Sequence, residues 1–356
     1  MKTSIKYVFS IILLLFLYLL FWPVPINPKP WHPPKAPELQ GVYKANDLLS
    51  KLEIIYPGQC DACEDVAIDS SGSIYGAQED GKIMLFKKAS KQGEVFADTK
   101  GRPLGLHFDK NHNLIVADAY KGLLSISPDG KIWELTKDFD KKNFGFTDDL
   151  EIADDGIIYF SDASNKFSVG DYKSDILEHG ANGAFYSYNP KTGETKKIID
   201  KMYFANGIAV SHNQDFVLVN ETSSYRIRRY WIKGPKAGTN DIFMENLPGF
   251  NDGISQGKDG IFWIALITPR NALLDNMMTS PFQRKLTARL PEFLKPKPEN
   301  FGFILGVDKT GKVIYNLQDP SGKFAQISSV QQFGDSLYLG SLGYSGVGVY
   351  SLKNIP

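Results

Sequence analysis

Four side chains of this 356-residue chain could hold a hard cation, and they recur in phase. Glu64, Asp148 and Asp252 stand 11 residues before Tyr75, Tyr159 and Trp263, and Asn206 stands 12 before Leu218. Each of those anchors lies in a short run of aromatic or β-branched residues that ends in a small or acidic turn. Two more runs, anchored on Ile115 and Tyr338, place Leu104 and Ile327 at the same phase. Three carboxylates brought together resist ionisation, because like charges at close range raise one another's pKa. A bound cation relieves that repulsion. Oxygen donors without His or Cys select calcium or magnesium over zinc, and donors from separate stretches of chain suit calcium's irregular coordination by roughly six to eight oxygens. Turn-forming Asp and Asn at strand starts would also supply polar residues here, but turn chemistry does not explain a shared phase.

The elements that would position these groups are repeated strands. The six runs are Ser73-Ile-Tyr-Gly-Ala, Leu114-Ile-Val-Ala-Asp, Ile158-Tyr-Phe-Ser-Asp, Val217-Leu-Val-Asn-Glu, Phe262-Trp-Ile-Ala-Leu and Leu337-Tyr-Leu-Gly-Ser, with anchors 40, 44, 59, 45 and 75 residues apart. Apart from two insertions, that is the length of one four-stranded propeller blade. Polar turns such as Asp69-Ser-Ser-Gly and Ala153-Asp-Asp-Gly precede the runs, and another apolar strand precedes each turn. An open β-sandwich would account for the strands but not for six units in phase. The expected fold is all-β: a six-bladed β-propeller with an N-terminal transmembrane helix. Leu39–Tyr56 would donate an edge strand to the last blade and close the ring. Equivalent positions at the starts of the innermost strands face the central axis, so Glu64, Asp148, Asn206 and Asp252 should meet at one mouth of the channel.

Bulk composition excludes some partners. Forty Lys and Arg balance forty Asp and Glu, so no net charge draws the chain to nucleic acid. Lys2 and Lys6 precede the apolar run Val8–Trp22, 15 residues that need their flanks to match a bilayer core. No small-x-small cleavage site follows, which favours an uncleaved anchor over a signal peptide, with everything after Trp22 exported to a periplasmic, lumenal or extracellular space. Residues 1–24 are therefore expected to form the anchor. Residues 25–38 form a proline-rich, polyproline II spacer that holds the globular part off the membrane, and 39–356 form the propeller, with a helical insertion at 268–300. Cys60 and Cys63, the two cysteines of the chain, form either a short-loop disulfide or two free thiols. The composition does not fix the oligomeric state.

Further motifs carry a resemblance. Glu64-Asp-Val-Ala, Arg102-Pro-Leu-Gly-Leu, Val116-Ala-Asp-Ala-Tyr-Lys-Gly-Leu-Leu, Asn206-Gly-Ile-Ala, Arg226-Ile-Arg-Arg-Tyr, Leu247-Pro-Gly-Phe-Asn-Asp and Asp319-Pro-Ser-Gly-Lys resemble strictosidine-synthase-like propellers over about residues 38–356, and within them the adipocyte plasma membrane-associated group. More distantly the layout is similar to paraoxonases, gluconolactonases and the diisopropylfluorophosphatase type, which are calcium-dependent hydrolases. The resemblance implies that Glu64, Asn206 and Asp252 are calcium ligands. Asp148 falls where relatives carry Asn, so it either tightens calcium binding or stays protonated as a proton donor. Asp65 and Asp149 match positions that hold a second, buried calcium in paraoxonases, or else cap turns. The glutamate that strictosidine synthase needs at the start of its last blade is missing from Phe324-Ala-Gln-Ile-Ser-Ser-Val330, and Leu104 stands where paraoxonases place a histidine. Neither amine–aldehyde condensation nor a His-based mechanism is expected.

The implied activity is calcium-dependent hydrolysis of a small ester or lactone, arylesterase- or lactonase-like, with organophosphates as a further substrate class. Asp252 would be general base or nucleophile, with Asp148 the alternative. A non-catalytic, membrane-anchored scaffold with a structural calcium ion is the competing expectation, because propellers host many functions. Gly253-Ile-Ser-Gln-Gly257 matches a nucleophile elbow in letters but lacks the strand–turn–helix setting an elbow requires. His32, His107, His112, His179 and His212 have no metal-binding spacing, and those in polar turns should be solvated. Asn220-Glu-Thr should be buried on a strand rather than glycosylated. Between Pro269 and Asn300 apolar residues at three- and four-residue steps, Leu273 to Leu294, predict amphipathic helix over the mouth: a lid, a membrane-contacting surface or packing alone, with control of substrate access the favoured role.

Overall fold

A computed structural model describes residues 2–88 and 90–355, with side chains from Ile5 onward. Met1, Ala89 and Pro356, and the side chain of Lys2 used in the orientation argument, lie outside the described residues. Six four-stranded antiparallel sheets form a ring. Their innermost strands are Val66–Ile68, Pro103–Phe108, Thr147–Ile152, Ala205–Val210, Gly249–Gln256 and Ile327–Phe333. The six anchor residues each lie on the second strand of a blade, as the spacing required. Those second strands are buried almost throughout, because both faces pack against neighbouring blades. Trp263, Phe160, Phe185, Phe262 and Phe303 fill the gaps between blades with fully buried side chains. The ring closes with Glu53–Ile55 paired antiparallel to Val347–Ser351, Glu53 opposite Val349 and Ile55 opposite Val347. The N-terminal segment therefore supplies the outer strand of the sixth blade and removes the free edge.

Helices gather at one end of the ring. After α1 (Lys2–Phe21), α2 (Tyr172–Glu178) follows the second strand of blade three, and α3 (Ala272–Met277) and α4 (Pro281–Ala288) follow that of blade five. The helical insertion expected over 268–300 consists of two short helices. Asn271 caps α3 by accepting from the Leu274 N–H, and Ser280 caps α4 by accepting from the Gln283 N–H, with Pro281 in the first turn. Leu274, Met277 and Met278 are buried as expected. Arg284 on α4 is fully buried as well.

The proline-rich segment is not a spacer. Ile26 is only 2% exposed and belongs to the core beneath the helices. Trp31 N–H donates to Met278 O at 3.0 Å, and its ring stacks on His179 at 3.8 Å. Arg284 donates to Lys29 O, Arg270 to Pro34 O at 2.7 Å and Asn246 to Lys35 O at 2.9 Å. A polyproline II chain makes no hydrogen bonds within itself, so its carbonyls are open to external donors. These arginines take them, and the segment becomes a strap across the helical end. The N-terminal helix is present, but among the described residues no helix is long and apolar enough to cross a membrane. Cys60 and Cys63 are joined as a disulfide with both side chains buried, which settles that alternative.

Candidate active site at the helical mouth

Five of the six innermost strands slip register at one place: between Pro103 and Leu106, Thr147 and Leu150, Ala205 and Ile208, Asn251 and Ile254, and Ile327 and Ser329. A bulge breaks the period-two alternation and turns two consecutive side chains the same way. Asp148 and Asp149 therefore both line one small axial cavity of about 30 Å³, with Glu64, Asp65, Asn206 and Asp252. The glycines beside them make room. A Cβ on Gly105 would meet Asp149 Oδ1 at 2.5 Å, and one on Gly207 would meet Asp252 O at 2.4 Å. All four residues singled out by phase thus share one site, Leu104 completes its wall, and none lies elsewhere.

The site is acidic and buried. Asp148, Asn206 and Asp252 are 5–6% exposed. Asn206 Nδ2 donates to Asp252 Oδ1 at 2.5 Å, and Arg102 donates to Glu64 Oε2 at 2.8 Å. Below them Asp65 accepts from the Leu106 N–H at 2.9 Å and Asp149 from the Ile208 N–H at 2.7 Å, so each carboxylate ties its blade to the next. Burial pushes Asp148 well above the ordinary carboxylate range, and the charges of Glu64, Asp252 and Asp149 push it further. Asp252 is likewise held well up by burial and by Glu64, with the Asn206 amide opposing the shift. Glu64 is raised by burial against the pull of Arg102, and Asp65 is pushed up to about 6 by burial.

A cation would remove the repulsion these shifts record, and the donors present fit a hard one. They comprise carboxylates and an amide, around a space the size of an ion, and among the described residues no hydrogen-bond donor reaches Asn206 Oδ1. As placed, however, no three His, Cys, Asp or Glu side chains among the described residues stand close enough to form a metal-holding group. Arg102 draws Glu64 aside and Asn206 holds Asp252.

Above the acids opens a larger cavity of about 350 Å³, walled mainly by apolar side chains: Phe146, Ile176, Phe204, Phe250, Ile267, Leu274 and Leu342. Glu64, Asp148, Asn206 and Asp252 form its floor, and α2, α3 and the segment Lys295–Pro298 form its roof. Phase alone did not reveal Arg102, although it lies two residues before Leu104 and so at the same end of the ring. Nor did it reveal Tyr172, which lines the cavity and whose phenol is raised by burial and, more weakly, by the charges of Glu64 and Asp252. Asn220, fully buried, donates Nδ2 to Asp252 O, which explains both its role and the unusable sequon.

The competing motifs have structural work. Ser255 lies within an innermost strand and donates to Val330 O, so Gly253–Gly257 is no elbow. Of the histidines, His32, His112 and His212 are exposed, and His107 is paired with Glu151 at 3.1 Å. His179 is buried between the rings of Trp31 and Tyr203.

Fold and site together define an axially acidic six-bladed propeller with a capped apolar cavity. Models of two families match the sequence: strictosidine synthase over residues 148–235 and the strictosidine synthase-like N-terminal region over 41–86. Strictosidine synthase-like protein 6 of Arabidopsis thaliana is 36% identical over 86% of this chain and 84% of its own. The human adipocyte plasma membrane-associated protein is 32% identical over 89% and 82%. The chain belongs to the strictosidine synthase-like family. Among solved structures it is similar in fold to a gluconolactonase from Xanthomonas campestris, with a TM-score of 0.62 and 16% identity over 84% of this chain and 88% of the other. Regucalcin from Agrobacterium tumefaciens, a calcium-binding protein, gives 0.58 and 14% over 82% and 90%.

Proposed function

We propose that this protein is a calcium-dependent hydrolase of small esters or lactones, tethered to a membrane by α1 and its flanks. The observation that carries the reading is the ring of Glu64, Asp148, Asn206 and Asp252 on the floor of a mainly apolar cavity of about 350 Å³. A gluconolactonase and a calcium-binding regucalcin share the fold, and membrane-associated relatives share the sequence.

Calcium, held by Glu64, Asn206 and Asp252 with Asp148 beside it, would polarise the carbonyl or phosphoryl oxygen of a bound substrate. The remaining chemistry falls to side chains. Asp148 and Asp252 cannot both ionise easily, and their surroundings divide the roles. Asp252 accepts a hydrogen bond from Asn206, which favours its charged form, so it takes the proton from the attacking water at a carboxylate oxygen. Burial first, and then the charges of Glu64, Asp252 and Asp149, oppose ionisation of Asp148, so it keeps its proton and can pass it to the leaving oxygen. Arg102 fixes the Glu64 carboxylate, and the phenyl rings of Phe146, Phe204 and Phe250 exclude bulk water while gripping the apolar part of the substrate.

One observation favours the scaffold reading. Asp65 and Asp149 bond across blades to Leu106 and Ile208, so the acidic centre also stitches the ring together. Full-length protein assayed with phenyl acetate and a lactone panel, with and without chelator, separates the two. Chelator-sensitive turnover that Asp252→Ala abolishes supports the hydrolase. A calcium-dependent rise in melting temperature with no turnover on any substrate supports the scaffold.

A further inference from the structure

The helical cap has an outer surface as unusual as its inner one. Leu273 is 63% exposed, Phe282 58%, Phe293 72% and Leu294 57%. All four belong to the single excursion between the second and third strands of blade five, and Leu274, beside Leu273, turns inward to line the cavity. Large apolar side chains this exposed on one short segment mark a surface that meets something other than water.

Two observations identify what it meets. The first is continuity with α1. Arg289, just after α4, donates Nε to Trp22 O at 2.6 Å, while its own carbonyl accepts from Tyr18 Oη at 3.2 Å. The apolar N-terminal helix therefore leaves the globular part beside the exposed cap residues, and its side chains from Ile5 are themselves exposed. The strap from Ile26 to Lys35 fixes that arrangement, since Arg284, Arg270 and Asn246 bind its carbonyls. A free spacer would have let the propeller tumble relative to α1; this one holds the cap toward the same side. The second is charge. Lys173, Lys295 and Lys297 line the mouth of the cavity and Lys285 lies on α4, so that after Lys173 and Lys295 share the one carboxylate of Glu292 the face keeps a net positive charge. Lysines around apolar residues suit an interface of anionic headgroups over acyl chains.

We infer that the cap face lies on a lipid bilayer, with Leu273, Phe282, Phe293 and Leu294 entering the headgroup region, so that the cavity above Asp252 opens toward the membrane surface rather than toward bulk solvent. Delivery of membrane-dissolved substrate to the cavity rests on the hydrolase reading; the lipid contact does not.

The test uses the full chain reconstituted in vesicles of phosphatidylcholine with phosphatidylserine. An environment-sensitive fluorophore is placed through Phe282→Cys or Phe293→Cys, and in a control through Lys309→Cys, in a turn at the opposite end of the ring. Cys60 and Cys63 do not compete for label, being buried and paired. With doxyl-labelled lipid present, labels at 282 and 293 should shift to the blue and lose emission roughly twofold, while the label at 309 is unchanged. Flotation of the same samples reports the α1 anchor, and turnover reports the hydrolase, so failures of those readings are distinct. Protein that floats with labels at 282 and 293 no more quenched than at 309 overturns the inference. So does protection of those labels from aqueous quencher that grows with protein concentration but ignores doxyl lipid, which would mark a protein partner on this face.

Discussion

The floor of the cavity is built from equivalent positions of repeated blades, whereas its roof is built from two insertions and a strap that have no counterpart elsewhere in the chain. Asp148, Asn206 and Asp252 lie on innermost strands, each paired along one edge with the second strand of its blade, and slips in register aim them at the axis. The roof is held by side chains reaching for carbonyls far away in sequence, with Arg284 and Lys29 separated by 255 residues. Repetition thus makes a site rigid and places charge; unrepeated segments enclose it and set what it opens onto. Substitutions at the two levels should fail in different ways.

The largest effect is expected at the floor. Gly207→Ala would drive a methyl group to within 2.4 Å of Asp252 O and 2.5 Å of Ile254 N, both main-chain atoms that cannot rotate away. Overpacking against backbone should cost about 3 kcal/mol or more, and it should displace Asp252, so that calcium raises the melting temperature less than in the parent. Denaturant unfolding with and without calcium measures both. A fully stable, calcium-responsive variant would break the claim that the floor is rigid.

The roof should show a somewhat smaller and purely structural loss. Arg284→Met leaves the carbonyls of Leu177, Glu178 and Lys29 without their donor, at a cost of about 3 kcal/mol. Calcium's stabilising increment should persist, because nothing on the floor moves. Proteolysis should also cut sooner in the strap than in the blades, which an N-terminal digestion series would show.

Acid should act on the two levels with opposite sign. His179 is lowered to about 3, first by burial and then by the charges of Arg284 and Arg226. Below the ordinary value of 6.5 the unfolded chain binds a proton that folded His179 refuses, so stability falls as pH drops from 6.5 toward 3. Asp65, raised from 3.8 to about 6, binds its proton in the fold first, so in metal-free protein it adds stability as pH falls across that interval. His179→Phe keeps a ring between Trp31 and Tyr203 but cannot titrate. Between pH 7 and pH 5 the parent should lose about 2 kcal/mol more than this variant, both in chelator. Asp175 on α2, also raised to about 6, is common to both proteins and cancels. Equal pH dependence would remove His179 from the account.

The same contrast explains what was legible in the sequence. Glu64, Asp148, Asn206 and Asp252 could be found because a repeat supplies its own internal reference, and the extra residue at Asn206 did not disturb the count by more than one. Even the bulges left a trace in the glycines at 105, 207 and 253, though that trace is readable only once the neighbouring blades they accommodate are in place. The strap could not be read. Its prolines announce an extended chain, but the groups that matter are main-chain carbonyls, which every residue has, and the arginines that bind them read as ordinary charges on a helix. His179 was equally opaque, since nothing near it in sequence foretells Trp31. By contrast, the break between α3 and α4 was present in Thr279-Ser280-Pro281, where a capping serine precedes a proline fitted to the first turn of a new helix.

The smallest effect tests whether the roof is held by its strap or by its outer charges. Lys173 pairs with Glu292, joining α2 to the segment after α4. The pair is conspicuous, yet Glu292 is 58% exposed, and a charge pair in water gains little after its side chains are immobilised. Lys173→Met should therefore change unfolding free energy by about 0.5 kcal/mol or less, and added salt should abolish even that difference. If the loss instead approached that of Arg284→Met, the roof would be an electrostatic lid, and the buried carbonyl contacts of the strap would be secondary. A small loss would leave Arg284, Arg270 and the Trp31–His179 stack as what fastens the roof over the acids. It would also free Lys173, at the edge of the cavity, to be varied in substrate or lipid experiments without unfolding the site it borders.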